Sequence, residues 1–330
     1  MPTARTTSGK QFDVTDGEAL LDAALRAHVT LAYSCRTGRC SSCKGKVKSG
    51  STTALHDELG LTAEERAAGW VLTCVRTATS DVELEVEDLG NVELATARTL
   101  PCRIQTLEKV TPDVLKVTLR LPPNSRFAFQ AGQYIDVIGP GGVRRSYSIA
   151  NAPATQDHLE LHIRHFDGGE MSRYWFEQAK ANDLLRLHGP LGTFFLREIE
   201  GVHLVFLATG TGIAPVKAML ERLAQQDQRP ASVTVYWGNR VEADLYWDAT
   251  SPPAGQRYVP VLSRAGADWA GARGHVQNVM LQTPHDWPHT RVYACGYDAM
   301  IHSARDALVA AGLDGHHFHS DAFVCSASAP

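Results

Sequence analysis

The chain has 330 residues, 44% of them hydrophobic, with 32 basic against 36 acidic side chains, which is enough apolar material for two or three packed domains and too much for disorder. This mild acidity argues against a nucleic-acid partner. No apolar run is long enough to cross a bilayer, and the opening MPTARTTSGKQFDV lacks the apolar stretch of a secretory leader, so no membrane association and a cytoplasmic setting are expected. Seven cysteines, three of them within nine residues, suit metal or redox chemistry in a reducing compartment better than a disulfide framework.

The first block, residues 1–92, reads as short strands around one helix. Asp16 is expected to cap a segment in which Leu21 and Leu25 share a face, and VELEV at 82–86 alternates as a half-buried strand. Cys35, Cys40 and Cys43 follow C-x4-C-x2-C spacing, with Cys74 downstream, which is the plant-type ligand spacing for a two-iron, two-sulfur cluster. Thiolates are the soft donors iron needs, and Gly38, Ser41, Ser42 and Gly45 make a loop small enough for three of them to converge. A structural zinc site would pair two short C-x2-C knuckles, and only one is present. Residues 1–95 hold 10 basic against 14 acidic side chains, yet Arg36, Arg39, Lys44, Lys46 and Lys48 cluster around the first three cysteines, as a solvated loop or a docking patch. The polar stretch EDLGNVELATART before Pro101 is a candidate linker.

The second block, residues 98–199, alternates in short runs (VLKVTLRL, QYIDVI, LELHIRHF) and predicts an antiparallel barrel or sandwich. Cys102 is expected there as a small buried hydrophobe. RRSYSIAN supplies Arg145, Tyr147 and Ser148, and GGEMS supplies Gly169 and Ser172. A flavin dinucleotide needs a cation for its pyrophosphate, an aromatic ring beside the isoalloxazine, a hydroxyl near N5 and close backbone approach for the second phosphate. These residues can provide each of them.

The third block, residues 200–330, changes rhythm at VHLVFLA. Apolar strands then alternate with helical stretches, which predicts a doubly wound parallel sheet. In ATGTGIAP, Gly210 and Gly212 occupy a strand-to-helix turn suited to a pyrophosphate, with Pro215 in the first helical turn. CGYDAM (Cys295, Gly296, Met300) repeats that arrangement and puts Cys295 at the carboxyl edge of the sheet. YWGNR places Asn239 and Arg240 at the end of the second strand, where an acid would hold a ribose 2′-hydroxyl and an arginine would accommodate a 2′-phosphate. Phe323, in SDAF, is expected just after the last strand, either packed in the core or covering the flavin. Cys325 stands apart from the quartet, before the polar tail SASAP.

With these motifs in place, the chain resembles the ferredoxin-NAD(P)H reductase superfamily with a plant-type ferredoxin domain at its N-terminus, and within it the CDP-6-deoxy-delta-3,4-glucoseen reductase family of 3,6-dideoxysugar formation. YSCRTGRCSSCKG, LTAEERAAGWVLTC, RRSYSIANAP, GPLGTFF, VFLATGTGIAPVKAM and VYACG carry the resemblance. The reductases of aromatic-ring-hydroxylating oxygenases share the three domains. The resemblance implies a β-grasp ferredoxin domain, an antiparallel β-barrel that binds FAD and a doubly wound parallel-sheet domain that binds NAD. It makes Cys35, Cys40, Cys43 and Cys74 the iron ligands, and Arg145, Tyr147 and Ser148 the FAD contacts. Gly210, Thr211, Gly212, Cys295 and Gly296 become the nicotinamide nucleotide site, with Thr209 where the family usually has a further glycine. The family generally uses NADH, with NADPH left open. Ser148 near the flavin N5, Cys295 placing the nicotinamide and Phe323 covering the flavin are the expected catalytic residues. The acceptor is expected to be a separate protein, either a pyridoxamine-phosphate-dependent sugar 3-dehydrase or a terminal oxygenase. A redox sensor that has lost turnover is the reading from another class.

Overall fold

The structure is a computed structural model that describes residues 1–90, 92–123, 125–153, 158–247 and 255–323. Cys325 and the polar tail lie outside the described residues. The chain divides into two compact units, Met1–Leu94 with Asp321–Pro330, and Ala95–Ser320.

In the first unit a five-stranded sheet runs in the order Gln11–Asp13, Thr3–Thr6, Val82–Glu85, Lys44–Ser49, Trp70–Leu72. Val82–Glu85 lies parallel to Thr3–Thr6 and antiparallel to Lys44–Ser49, with Val82 and Leu84 inward as the alternation predicts. The helix Leu20–Arg26 sets Leu20, Leu21, Ala23 and Ala24 into the core, with Leu25 packed at its margin. Asp16 does not cap it. Gly17, at a φ of +72°, turns the chain first, so the helix begins after Ala19 with no side-chain cap. Glu18 instead braces the turn before the helix, accepting from the Thr15 N–H and pairing with Arg26.

The barrel of the second unit is a six-stranded antiparallel sheet in the order Arg144–Ser148, Tyr134–Ile138, Leu184–Leu191, Arg98–Thr111, Val114–Arg120, His158–Arg164. A bridge from Ile149 to Leu161 closes it. Ile104, Val117, Ile135, Val137, Ile149 and Leu161 fill its interior and are fully buried. The strand at Arg98 begins inside the stretch read as a linker and contains Pro101. Proline is tolerated because this end of the strand pairs on one side only. Arg98–Gly189 to Arg103–Leu184 face one neighbour, and pairing with the other starts at Arg103. Cys102 is buried as expected, and burial pushes its thiol up to about 12.

The remaining sheet runs in the order Ala272–Arg273, Gln256–Leu262, Ser232–Asn239, His203–Thr209, Thr290–Tyr297, Phe318–Phe323. The first of these strands in sequence, His203–Thr209, is central and has parallel partners on both sides. Chain order therefore reverses between it and Thr290–Tyr297, which opens a crevice at their carboxyl ends. Phe323 is the last residue of the final strand and half-buried, rather than beyond it, because the pairing continues through SDAF. Among the described residues, no helix is long and apolar enough to cross a membrane.

Candidate cofactor-binding sites

The cysteine loop is shaped by backbone that few residues tolerate. Arg36, Gly38 and Ser41 all have left-handed φ angles, and a Cβ on Gly38 would overlap the Asp57 carbonyl oxygen. Within the loop, Cys35 Sγ accepts from the N–H groups of Thr37 and Cys40, and Cys40 Sγ accepts from the Cys35 N–H, each at 3.4 Å. The four thiols come as two pairs. The hydrogen bond from Cys40 holds Cys35 down at about 5 while Cys40 is raised, and Cys43 likewise lowers Cys74 and is itself raised. Among the described residues no cluster of His, Cys, Asp or Glu is arranged to hold a single metal ion. Two thiol pairs are instead what a two-iron cluster asks for, each iron taking two cysteines and sharing the bridging sulfides. The expected basic patch is largely neutralised: Arg36 pairs with Asp22, Lys44 with Glu65 at 2.5 Å and Lys48 with Glu85 at 3.1 Å, while Lys46 lies over the Trp70 ring. Among the described residues, any docking role rests on Arg39 and on Lys46, whose charge the Trp70 ring does not cancel.

In the barrel, the register sets Arg145 opposite Val137, Tyr147 opposite Ile135 and Ser148 opposite Tyr134. Alternation puts Arg145 and Tyr147 on one face and Arg144, Ser146 and Ser148 on the other, where Arg144 and Ser146 bond Asp136. Arg145, by contrast, has no carboxylate within ion-pair distance among the described residues, and this uncompensated cation fits a phosphate. Tyr147 is locked by a residue the motif does not include. Trp175 donates its indole N–H to the phenol oxygen at 3.0 Å and meets the ring edge-on. Burial pushes the Tyr147 phenol up to about 12. Gly169 starts the helix Glu170–Arg173, and a Cβ there would sit 3.1 Å from the Phe166 carbonyl oxygen and 3.2 Å from Ser172 Oγ. Ser172 Oγ accepts from the Phe166 N–H, fixing the turn.

At the sheet crevice, Gly210–Gly212 forms a tight turn that leads straight into the helix Ile213–Ala224. Gly212, and Gly296 on the neighbouring strand end, are required by the close contact between the two turns. A Cβ on Gly212 would overlap the Cys295 carbonyl oxygen, and one on Gly296, at a φ of +130°, would overlap Thr209 Oγ1. Thr209 has a use of its own here, since its hydroxyl accepts from the Tyr297 N–H at 3.0 Å and ties the two turns together. Cys295 is fully buried beneath them. Asn239 Nδ2, at the end of the second strand, is shielded from solvent and has no hydrogen-bond partner among the described residues, as a donor awaiting a ligand oxygen would be.

The barrel and this sheet are joined beside these turns by charges that no motif predicted. Lys217, on the helix after the glycine turn, contacts Glu221 at 2.6 Å and Glu160 of the barrel at 3.2 Å, and donates to the Ala150 carbonyl. Glu221 accepts from the Ala152 N–H. The end of the R-x-Y-S strand is thereby bonded to the nucleotide helix. Desolvation raises Glu160, but the hydrogen bond with His162 and the charge of Lys217 outweigh it and bring the carboxyl to about 2. Because the folded state holds this carboxyl below its ordinary value of 4.5, its contribution to stability is full above that value and is lost as pH falls from there to about 2. Lys217→Met is expected to lower stability at pH 7 by about 1–3 kcal/mol. It is also expected to flatten the acid limb over that window, both read from urea midpoints measured against pH.

Three sequence families match the chain in succession: a 2Fe-2S iron-sulfur cluster binding domain over residues 5–79, an oxidoreductase FAD-binding domain over 101–196 and an oxidoreductase NAD-binding domain over 206–306. These define an NAD(P)H-dependent oxidoreductase whose cofactors are a two-iron, two-sulfur cluster, FAD and a nicotinamide dinucleotide. The CDP-6-deoxy-L-threo-D-glycero-4-hexulose-3-dehydrase reductase of Yersinia pseudotuberculosis is 42% identical, with 97% of each chain covered. The terephthalate 1,2-dioxygenase reductase component 1 of a Comamonas species is 32% identical over 96% of this chain and 95% of its own. The crystal structure of an Amycolatopsis cytochrome P450 reductase superposes with a TM-score of 0.77 at 31% identity, covering 98% of this chain and 99% of the other. The chain belongs to the ferredoxin-NAD(P)H reductase superfamily with an N-terminal iron-sulfur domain and, within it, to the CDP-6-deoxyhexulose-3-dehydrase reductase family. It transfers electrons to a separate protein.

Proposed function

We propose that this chain passes electrons from NADH to a pyridoxamine-phosphate-dependent dehydrase that removes the 3-hydroxyl of a CDP-linked 4-keto-6-deoxyhexose. The observation that carries this is the 42% identity, end to end, with a reductase named for such a dehydrase, against 32% for the dioxygenase component. When bound, the nicotinamide supplies a hydride, the flavin turns two electrons into two single ones, and the cluster carries them one at a time.

The chain's own residues divide the work accordingly. Gly210, Thr211 and Gly212 offer backbone N–H groups to the dinucleotide pyrophosphate at a helix start. Cys295 and Gly296 floor the crevice where the nicotinamide rests. Arg145 neutralises the FAD pyrophosphate, and the turn from Gly169 to Ser172 admits its second phosphate. Tyr147, its hydroxyl held by Trp175, lines the isoalloxazine, and Ser148 offers a hydroxyl to N5. Cys35, Cys40, Cys43 and Cys74 hold the cluster, in the reducing, cytoplasmic setting that such thiols require.

The test supplies NADH and this chain to the sugar dehydrase with its substrate and, separately, to a ring-hydroxylating oxygenase. The proposal expects dehydrase turnover, with oxygenase turnover at least ~10-fold slower, the ratio of a 1.4 kcal/mol preference. The reverse order would make this an oxygenase reductase. Failure to reduce even ferricyanide from NADH would return it to the redox-sensor reading.

A further inference from the structure

Arg240 follows the second strand of the nucleotide sheet, the position from which a ribose 2′ substituent is read. An arginine there ordinarily invites a 2′-phosphate, but this one is occupied. Its Nη2 lies 3.3 Å from Asp113 Oδ2 and its Nε lies 3.3 Å from Asp244 Oδ2. Asp244 belongs to the short turn Glu242–Asp244 that follows Arg240, whereas Asp113 comes from the barrel, in the turn between Arg98–Thr111 and Val114–Arg120.

Asp113 is held in place from three sides. The Thr111 hydroxyl donates to its Oδ1 at 2.9 Å, Arg164 donates to its Oδ2 at 2.9 Å, and its own carbonyl accepts from the His165 N–H. Arg164 in turn lies against the glycine turn, since a Cβ on Gly210 would come 2.9 Å from its Nη1. Two arginines and two aspartates therefore meet beside the dinucleotide crevice with no net charge. A 2′-phosphate brings about −1.5 to −2 and finds each cation already matched by a carboxylate. A 2′-hydroxyl is neutral and needs only an acceptor.

We infer that Asp113, with Asp244, masks Arg240 and sets the preference for NADH over NADPH, so that the dinucleotide is selected in part by a barrel residue that lies outside every nucleotide motif. This rests on the reading of the Gly210–Gly212 crevice as the nicotinamide dinucleotide site. Releasing Arg240 converts it into the phosphate-reading arginine that its position suggests.

The test is calorimetric titration of the oxidised holoprotein with NAD+ and NADP+, followed by kcat/KM for NADH and NADPH. Asp113→Asn keeps the side-chain shape and removes the charge. The ratio of NADP+ to NAD+ affinity, and the matching ratio of kcat/KM, is expected to rise about tenfold. In Asp113→Asn/Arg240→Ala the gain is expected to vanish. Asp244→Asn is the second variant, with the same expected direction, should the first lose its flavin. An unchanged ratio in both aspartate variants, or a gain that survives removal of Arg240, overturns the inference. Wild-type protein that binds neither dinucleotide would overturn the underlying reading instead, which separates the two failures.

Discussion

Cys43→Ser is expected to purify with its flavin but with less than half the iron and acid-labile sulfide of wild type, and to lose transfer to a protein acceptor almost completely. Cys43 is 5% exposed and paired with Cys74, so its replacement leaves one metal position with a single soft donor and a hard hydroxyl in place of the other. The loss of protein-acceptor reduction should exceed the ~100-fold penalty that removing even an outer partner costs a metal site. NADH-driven reduction of ferricyanide should persist within about twofold, because that small acceptor can draw on the flavin directly, and Arg145, Tyr147, Ser148 and the turn Gly210–Gly212 belong to the other compact unit. Cys102→Ser is the control. It replaces a thiol buried in the barrel, away from any cysteine pair, and should cost about 1–2 kcal/mol of stability with full iron content. Full iron in Cys43→Ser would remove this cysteine from the ligand set.

The parts of this molecule that were legible in the sequence are those in which chemistry and local geometry share a few consecutive residues. The cysteine spacing and the glycine turns are of this kind, since each turn needs particular φ angles or close approach. Strand periodicity was equally local, and VELEV, QYIDVI and VHLVFLA fall in or around strands for that reason. What stayed hidden depends on partners far apart in the chain. Nothing near Tyr147 points to Trp175, 28 residues on, whose donor reaches it only because a π-helical segment, Tyr174–Gln178, continues from the Gly169 turn. Glu160 and Lys217, or Asp113 and Arg240, look like ordinary surface charges until the barrel and the sheet bring them together. The same limit explains the misplaced helix cap. Asp16 has the right chemistry, but the left-handed turn at Gly17 decides where the helix can begin. The basic loop is the converse case, in which sequence proximity exaggerates a patch whose carboxylate partners arrive from elsewhere.

Gly212→Ala is expected to cut kcat/KM for NADH by roughly 10–100-fold, the range that corresponds to about 1.4–2.7 kcal/mol of lost fit. The new methyl would overlap the Cys295 carbonyl oxygen and approach the Cys295 carbonyl carbon at 2.7 Å and Gly296 Cα at 2.9 Å. All three are backbone atoms, so no side chain can swing aside. Either the pyrophosphate turn lifts or the strand end carrying Cys295 moves, and both displace the nicotinamide side of the crevice from the flavin. Gly210→Ala should be milder, because among the described residues the only atom its Cβ meets is the end of the Arg164 side chain, which can shift, and the residual cost is that of a non-glycine at a φ of +54°. The two variants together separate close approach from backbone freedom as the reason for glycine in this turn. Stopped-flow reduction of the flavin by NADH should slow in Gly212→Ala, while flavin content and chemical reduction by dithionite stay at wild-type levels. Equal losses in the two variants would mean that backbone freedom, and not contact with Cys295 and Gly296, governs the turn.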